Sequence, residues 1–378
     1  MPQFEILECS NKAVIKVLGV GGGGNNAVEH MLTSQLEGVE FICANTDAQV
    51  LRDSEVKTTL QFGDEVTNGL GAGADPMIGR QAAVEDRERI RTAVKGADMV
   101  FITAGMGGGT GTGAAPIIAE IAKEEGILVV AVVTRPFSHE GKARAKVAES
   151  GIQELQNHVD SLITIPNDKL ISVLGEDASL MDAFSAANNV LLNAVKGISE
   201  IINCRGLINV DFADVRTVMS EMGMAMMGSG LATGENRAKK AAQAAVHSPL
   251  MEDVDLNGAK GVLVNVTAGS NLKLQEFHEV GYTVQEFASE HANVVLGTVI
   301  DDTIDDEIRV TVVATGLETD QLGEGNIENR SKEAKDTESP SRSKASNTTT
   351  PTVIQGSVEV EPEQGVLDIP AFLRRQAD

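Results

Sequence analysis

Residues 105–113 read Gly-Met-Gly-Gly-Gly-Thr-Gly-Thr-Gly, set between an apolar run, DMVFITA (98–104), and a helix-like run, AAPIIAEIAKEE (114–125). A backbone almost without side chains can turn sharply and bring several N–H groups to one anion. The helix that follows adds its own unpaired N–H groups and the positive end of its dipole. Thr110 and Thr112 supply hydroxyls that can donate to an oxyanion or reach a metal-bound water. A flexible linker would not be clamped between a buried strand and a helix. The segment therefore reads as a phosphate cradle in an α/β fold.

The pattern on either side agrees. AVIKVLGV (13–20) reads as a buried strand and 25–36 as a helix after a first glycine loop. VEFICANTD (39–47) is a second strand, and GLGAGADP (69–76) is another glycine-rich loop whose Pro76 opens a helix over 77–95. Glu85, Asp86, Arg87, Glu88, Arg89 and Arg91 give that helix a charged, solvated face. Strands at 98–104, 127–134 and 160–165 alternate with helices at 114–125 and 140–158. The strands are continuously apolar rather than alternating, as in a parallel sheet covered on both faces. Such alternation predicts a doubly wound α/β domain.

A long helix over 178–203 follows, placed as a spine between two domains. Beyond it, MGMAMMGSG (222–230) reads as an apolar strand with a turn, strands are expected at 261–269, 293–301 and 307–317, and helices at 235–247 and 273–290. This predicts a smaller C-terminal α+β domain over 222–317, after a loop and helix at 204–221. From residue 318 large apolar residues become scarce, so 318–365 is expected to be a disordered acidic linker. VLDIPAFLRRQAD (366–378) restores an apolar motif, with Asp368 able to cap a short helix and Pro370 in its first turn, as in peptides that fold on a partner.

Composition narrows the function. The 378 residues carry a net charge of −24, which argues against a sequence-independent grip on nucleic acid or direct attraction to anionic lipid. Cys9, Cys43 and Cys204 are scattered and fit reduced thiols better than a disulfide framework. The first residues show no basic segment followed by an apolar stretch, so no secretory signal is expected, and residues 1–12 read as a flexible extension. No apolar run is long enough to span a bilayer.

The first loop, GVGGGGNN (19–26), matches G-x-G-x-x-G through Gly19, Gly21 and Gly24, and Asp47 stands near where a ribose-binding acid would sit. A nicotinamide-dependent oxidoreductase is therefore an alternative. Against it, this chain has three glycine loops after strands, more phosphate-facing backbone than one pyrophosphate requires. No Lys-Ser or Lys-Thr follows any of them, so phosphate charge would be offset by N–H groups, dipoles and Mg²⁺ rather than by a lysine. Glu140 and Arg144, four apart, read from spacing as an ordinary helix salt bridge. In NVDFAD (209–214), Asp211 suits an N-cap and Asp214 a first turn; the functional reading is that the two carboxylates orient a water or hold a cation.

Taken together, GVGGGGNNAV, NTDAQ, GLGAGA, GMGGGTGTGAAP, TRPF, SLITIPND, NVDFADVRTVM and LDIPAFLRRQAD resemble FtsZ, the bacterial tubulin-like family of cell-division GTPases, over residues 13–317 and again at 366–378. The resemblance implies a GTP-binding domain (13–177), a central helix, a C-terminal α+β domain and head-to-tail polymerisation at the division site in the cytoplasm. It implies that Gly22, Gly23, Gly24, Asn25 and Asn26 meet the nucleotide from the first loop, and that Ala72, Gly73 and Ala74 sense the γ-phosphate. Gly108, Gly109, Thr110, Gly111 and Thr112 would hold phosphates, Glu140 and Arg144 the ribose side, and Asn167, Phe184 and Asn188 the guanine. The loop of Asn209, Asp211 and Asp214 would be placed against the γ-phosphate held by the neighbouring subunit, Asp211 and Asp214 polarising the attacking water and Asn209 helping to position the loop. Many members carry a further glycine at the place of Asn25, and some carry Asp at that of Asn188, which would soften base selectivity here. GTP or GDP with Mg²⁺, other copies of the chain, FtsA- and ZipA-like membrane anchors and assembly inhibitors are the implied ligands and partners. The anchors and inhibitors would bind through Leu367, Asp368, Ile369, Pro370, Phe372, Leu373 and Arg374.

Overall fold

Strand and helix alternate from the first described element, in the order the apolar runs predict. The computed structural model describes residues 12–317 apart from 35, 37, 176–177, 205, 222, 252–257 and 290. Cys9, nearly all of the N-terminal extension, the linker (318–365) and the terminal peptide (366–378) lie outside the described residues. The first half runs β1 (Ile15–Val20), α1 (Gly21–Thr33), β2 (Val39–Asn45), α2 (Ala48–Arg52), β3 (Thr58–Gln61), α3 (Asp64–Thr67), α4 (Pro76–Glu85) and α5 (Arg87–Val94). It continues with β4 (Met99–Gly105), α6 (Thr110–Glu124), β5 (Leu128–Arg135), α7 (Lys142–Gln156), β6 (Ser161–Pro166) and α8 (Asn167–Leu174). Then come α9 (Leu180–Asn203), α10 (Phe212–Met219), β7 (Met224–Thr233), α11 (Arg237–Val246), β8 (Gly261–Ala268), α12 (Leu274–Gln285), β9 (Asn293–Ile300) and β10 (Glu307–Leu317).

The strands form one ten-stranded sheet in the order β3-β2-β1-β4-β5-β6-β7-β10-β8-β9. Its first six strands are parallel, with β1 between β2 and β4. This is the doubly wound order in which the crevice beside the reversal point, here between β1 and β4, takes ligands. β10 runs antiparallel to β7 and β8. The two halves of the sheet meet at a narrow seam, Leu162↔Met224 and Ile163↔Ala225. Apolar side chains of β1, β4, β5 and β6 pack on one face against α9, and those of the other face pack against α4, α5 and α6. A third cluster joins α11 and α12 to β8 and β10.

Three local readings need correction. The helix expected over 77–95 is two helices, because Asp86 leaves helical geometry (φ −101°, ψ 27°) and its carboxylate accepts from the amide of Gly63 at 2.7 Å. The helices after the first and third glycine loops begin inside those loops, at Gly21 and Thr110, since their first amides need no intrahelical partner. The short β3 and α2, α3 and α8 were not marked by periodicity, being too short to show a repeat.

The C-terminal half carries a buried ionic knot. Arg237, 4 % exposed, pairs through Nε and a terminal nitrogen with Glu276, and also reaches Asp306 (3.1 Å) and Asn271 (3.1 Å). It ties the start of α11 to the start of α12 and to the turn before β10. The Arg237 hydrogen bonds hold the Glu276 carboxyl below its usual range. A depressed carboxylate pKa contributes stability that is complete above the ordinary value and is lost as pH falls through the lowered one. Arg237→Met is expected to destabilise the fold by about 3–5 kcal/mol, because Glu276 is left partly buried without its cation. A urea midpoint equal to that of wild type at neutral pH would refute this, and the difference between the two proteins should shrink as the solution is acidified.

Candidate nucleotide-binding site

The crevice between β1 and β4 is closed by backbone meeting backbone. A Cβ on Gly21 would lie 2.8 Å from the Gly111 nitrogen, so α1 and α6 start against each other. The Gly109 amide donates to the Gly73 carbonyl at 3.1 Å, and a Cβ on Gly109 would meet the Ala72 and Asp75 carbonyls at 3.0 Å. α4, whose N-cap Asp75 accepts from the Met77 amide and whose first residue is Pro76, crosses α6 at Gly79, where an added Cβ would overlap the Gly109 carbonyl. The three glycine loops are thereby gathered at the carboxyl ends of β1, β2 and β4. Added Cβ atoms on Gly22, Gly73 and Gly108 would meet nothing within 4 Å. These three therefore border open space, while their neighbours are packed into the scaffold.

Exposure divides the expected contacts in the same way. Gly22, Gly23, Asn26, Gly73 and Ala74 are exposed, whereas Gly24, Ala72, Gly109 and Gly111 are buried. Asn25 is fully buried. In the amide orientation that satisfies both of its groups, Nδ2 donates to the Gly19 and Gly21 carbonyls (2.8 and 3.1 Å) and Oδ1 accepts from Asn45 Nδ2 (3.2 Å). Its side chain thus braces the first loop from within and is not directed at a ligand. Thr112 is also turned inward: its hydroxyl accepts from the Gly107 amide at 2.8 Å and closes the signature loop. Thr110 pairs with Thr46 at 2.6 Å, hydroxyl to hydroxyl. Thr46 was not singled out by the sequence, because a threonine at a strand end carries no local signal.

The rest of the ring lies on the same side. Glu140 Oε1 accepts from the Phe137 amide (2.8 Å) and its other oxygen pairs with Arg144 (3.0 Å), as the bare four-residue spacing implied. Arg144 packs its backbone and stem against Gly107, so the pair borders the signature loop. Asp168 accepts from the Ser138 amide and fastens this turn to the start of α8. There Asn167 is buried, and its Oδ1 has no hydrogen-bond partner among the described residues. Phe184 is half exposed and sits edge-on to Phe137, ring centroids 5.5 Å apart, leaving a face free for stacking. Asn188 is half buried, and Oδ1 of its neighbour Asn189 accepts from His30 Nε2 of α1 at 2.7 Å, tying α9 to the first loop's helix. Asp182 is held below the usual carboxylate range by the Ser179 hydroxyl and amide, which cap α9.

Asn209, Asp211 and Asp214 are elsewhere. α9 is 24 residues long, about 36 Å at 1.5 Å per residue, and it starts at the ring and ends at their loop. Arg216 of α10 reaches the Gly126 carbonyl before β5, while Thr134 near the other end of β5 accepts from the Met106 amide of the signature loop. One strand length, about 23 Å, separates the two places. Asp211 occupies the N-cap position of α10, yet its side chain makes no capping bond, and Asp214 has no side-chain partner among the described residues. Both are exposed. Asp47, the acid an oxidoreductase would have used, instead caps α2 through the Gln49 and Val50 amides. Among the described residues no cluster of three or more His, Cys, Asp or Glu side chains could hold a metal ion.

A doubly wound sheet whose central crevice is lined by three glycine loops defines a nucleotide-binding α/β protein of the tubulin type, a GTPase. The family model described as the Tubulin/FtsZ family, GTPase domain, matches residues 14–175, and that of the FtsZ family, C-terminal domain, matches 223–318. The chain is 58 % identical over 383 residues to the cell division protein FtsZ of Coxiella burnetii, covering 98 % of this chain and 99 % of that one. It is 57 % identical over 384 residues to the FtsZ of Buchnera aphidicola from Schizaphis graminum, covering 99 % and 100 %. A solved FtsZ dimer from M. jannaschii matches with TM-score 0.77 and 46 % identity, over 81 % of this chain and 89 % of that chain. The chain belongs to the FtsZ family of cell division proteins, and an oxidoreductase reading has no support.

The two classes of glycine separate by measurement. Gly22→Ala should leave the thermal midpoint within a degree or two of wild type while weakening guanine-nucleotide binding, because its methyl projects into open space. Gly79→Ala should lower stability by about 1–3 kcal/mol through overpacking of α4 on α6. Equal effects of both substitutions on the melt would contradict the division.

Proposed function

We propose that this protein polymerises head to tail and hydrolyses GTP at the junction between subunits, forming the division ring at midcell. The observation that carries the reading is the separation described above: two exposed, unpartnered carboxylates stand a strand length away from the loops that would hold the nucleotide. Within one chain they cannot act on it. In a head-to-tail stack the loop of Asn209, Asp211 and Asp214 would be laid against the crevice of the next subunit. The M. jannaschii relative solved as a dimer is consistent with self-association.

The surfaces that would meet are apolar on both sides. Leu70 (84 % exposed) and Met181 (76 %) stand out around the crevice, and Leu207 (71 %) and Ile208 project beside Asp211. Burial of such side chains against each other would stabilise a junction by roughly 1.5–3 kcal/mol per large residue. GTP would lie with its phosphates over Gly22, Gly23, Gly108 and Thr110 and against the 72–74 loop, its ribose by Glu140 and Arg144, its guanine on Phe184 with Asn167 and Asn188 at the base edge. Gly24, Gly109 and Gly111 would serve through backbone alone. Mg²⁺, when bound, would neutralise phosphate charge, held by phosphate oxygens and water. Asp211 and Asp214 would orient a water for attack on the γ-phosphorus and draw off its proton as the bond to the bridging oxygen breaks, and Asn209, whose Oδ1 accepts from the Gly206 amide, would hold the loop's shape.

No described helix is long and apolar enough to cross a membrane. Attachment of a ring to the membrane would then fall to other proteins, with the segment 366–378, which lies outside the described residues, as the docking peptide for FtsA- or ZipA-like anchors and for assembly inhibitors.

Phosphate release per molecule should rise steeply with protein concentration. A rate per molecule that does not depend on concentration would sink the shared site. Asp214→Ala mixed into wild-type protein should depress turnover by more than dilution alone, while the variant still binds GDP. Leu207→Glu should abolish GTP-induced light scattering at concentrations where wild type scatters, with nucleotide affinity within about twofold of wild type, since Leu207 lies far from the crevice.

A further inference from the structure

Thr46 follows the end of β2 and is fully buried, yet its polar groups reach all three glycine loops. Its hydroxyl is 2.6 Å from that of Thr110, the first residue of α6. Its carbonyl accepts from the Gly71 amide at 3.3 Å and so holds the base of the loop that runs to Gly73, while the nearby Thr67 hydroxyl has its shorter bond to the Gly63 carbonyl (2.9 Å). Its amide donates at 2.9 Å to Asn45 Oδ1, and Asn45 in turn donates to Asn25, the brace of the first loop.

The direction of the Thr46–Thr110 bond follows from proton count. A hydroxyl has one hydrogen and two lone pairs. Among the described residues each of the two buried hydroxyls has the other as its hydrogen-bond partner, and either can donate in the protein alone; once the Thr110 hydrogen goes to a phosphate oxygen, Thr46 donates and Thr110 accepts. The Thr110 hydrogen is then left for whatever occupies the crevice, and acceptance from Thr46 polarises it into a stronger donor. The reverse orientation would turn Thr110 lone pairs toward an anion.

We propose that Thr46 is a positioning residue for GTP: its hydroxyl sets Thr110 as a phosphate donor while its carbonyl holds the 67–73 loop, so that the two loops meet the terminal phosphate as one unit. This rests on the reading of the crevice as the GTP site. The hydroxyl acts through Thr110, which a diphosphate and a triphosphate would both meet, so its loss weakens both, while the carbonyl's hold on the loop to Gly73 is kept.

The test uses the full-length chain, below the concentration at which it assembles, with a fluorescent GDP and a slowly hydrolysed GTP analogue. Thr46→Val removes the hydroxyl at nearly constant volume and is expected to weaken binding of both nucleotides by about threefold to tenfold, the loss typical of a neutral hydrogen bond. Thr46→Ser, which keeps the hydroxyl, should restore most of the affinity. Thr46→Cys, a weak donor of similar size, gives the same readout if Thr46→Val does not fold. Unchanged affinities in the valine or cysteine variant overturn the proposal. So does a serine variant as impaired as valine, which would mark a packing effect. Wild-type protein that binds neither nucleotide would overturn the site reading itself, a result distinct from the others.

Discussion

Everything at the crevice depends on how closely bare backbone can approach bare backbone. Gly109 bonds to Gly73, Gly79 lies under Gly109, and Gly21 lies against Gly111, each at a distance that a side chain would forbid. Helices α1 and α6 consequently start against each other where β1 and β4 part, with their uncapped first amides and dipole ends converging there, while α4 crosses α6 at Gly79. No lysine is needed there, because the positive potential is made by the fold. The same closeness makes the site rigid, and beneath it the buried contacts of Asn25, Asn45, Thr46 and Thr110 join the loops into one polar network.

The second organising element is α9. It packs into the same apolar cluster as strands of both halves of the sheet, which otherwise touch only through the two-residue seam between β6 and β7. One end of this helix carries Phe184 and Asn188, and the other leads to Asn209 and Asp211. In the proposed assembly a rigid rod of this length would connect the nucleotide held by one subunit to the carboxylates it offers to its neighbour. A change in register at either end would be felt at the other, because a packed helix shifts as a unit.

Much of the fold was legible because its strands are long, continuously apolar and bounded by glycine. β1, β4, β5 and β6 fall within a residue or two of where their apolar runs placed them, and β8, β9 and β10 likewise, whereas β7 runs unbroken to Thr233 where a turn had been expected by residue 230. What escaped were elements shorter than two periods, such as β3 and α3, and breaks made by a distant partner. The interruption at Asp86 is of the second kind, since the carboxylate answers the amide of Gly63, twenty-three residues earlier. The candidate site divides in the same way. The motifs marked which loops would gather, but they could not tell Gly22, which borders open space, from Gly24, which is buried in the scaffold. Nor could they show that the side chains of Asn25 and Thr112 point inward, that Glu140 and Arg144 pair with each other, or that Thr46 belongs to the network at all.

From the order of its residues alone, this chain's class of fold, its phosphate-cradling loops and its membership of the FtsZ family can be read, because glycine spacing and apolar runs are local properties of the backbone. Only the tertiary structure decided which of those residues border open space, which brace one another, and that Asp211 and Asp214 stand far from the loops with their carboxylates unengaged. Those are distances between segments remote in sequence, and they are set by how the sheet, the crevice glycines and α9 pack rather than by any one stretch of chain.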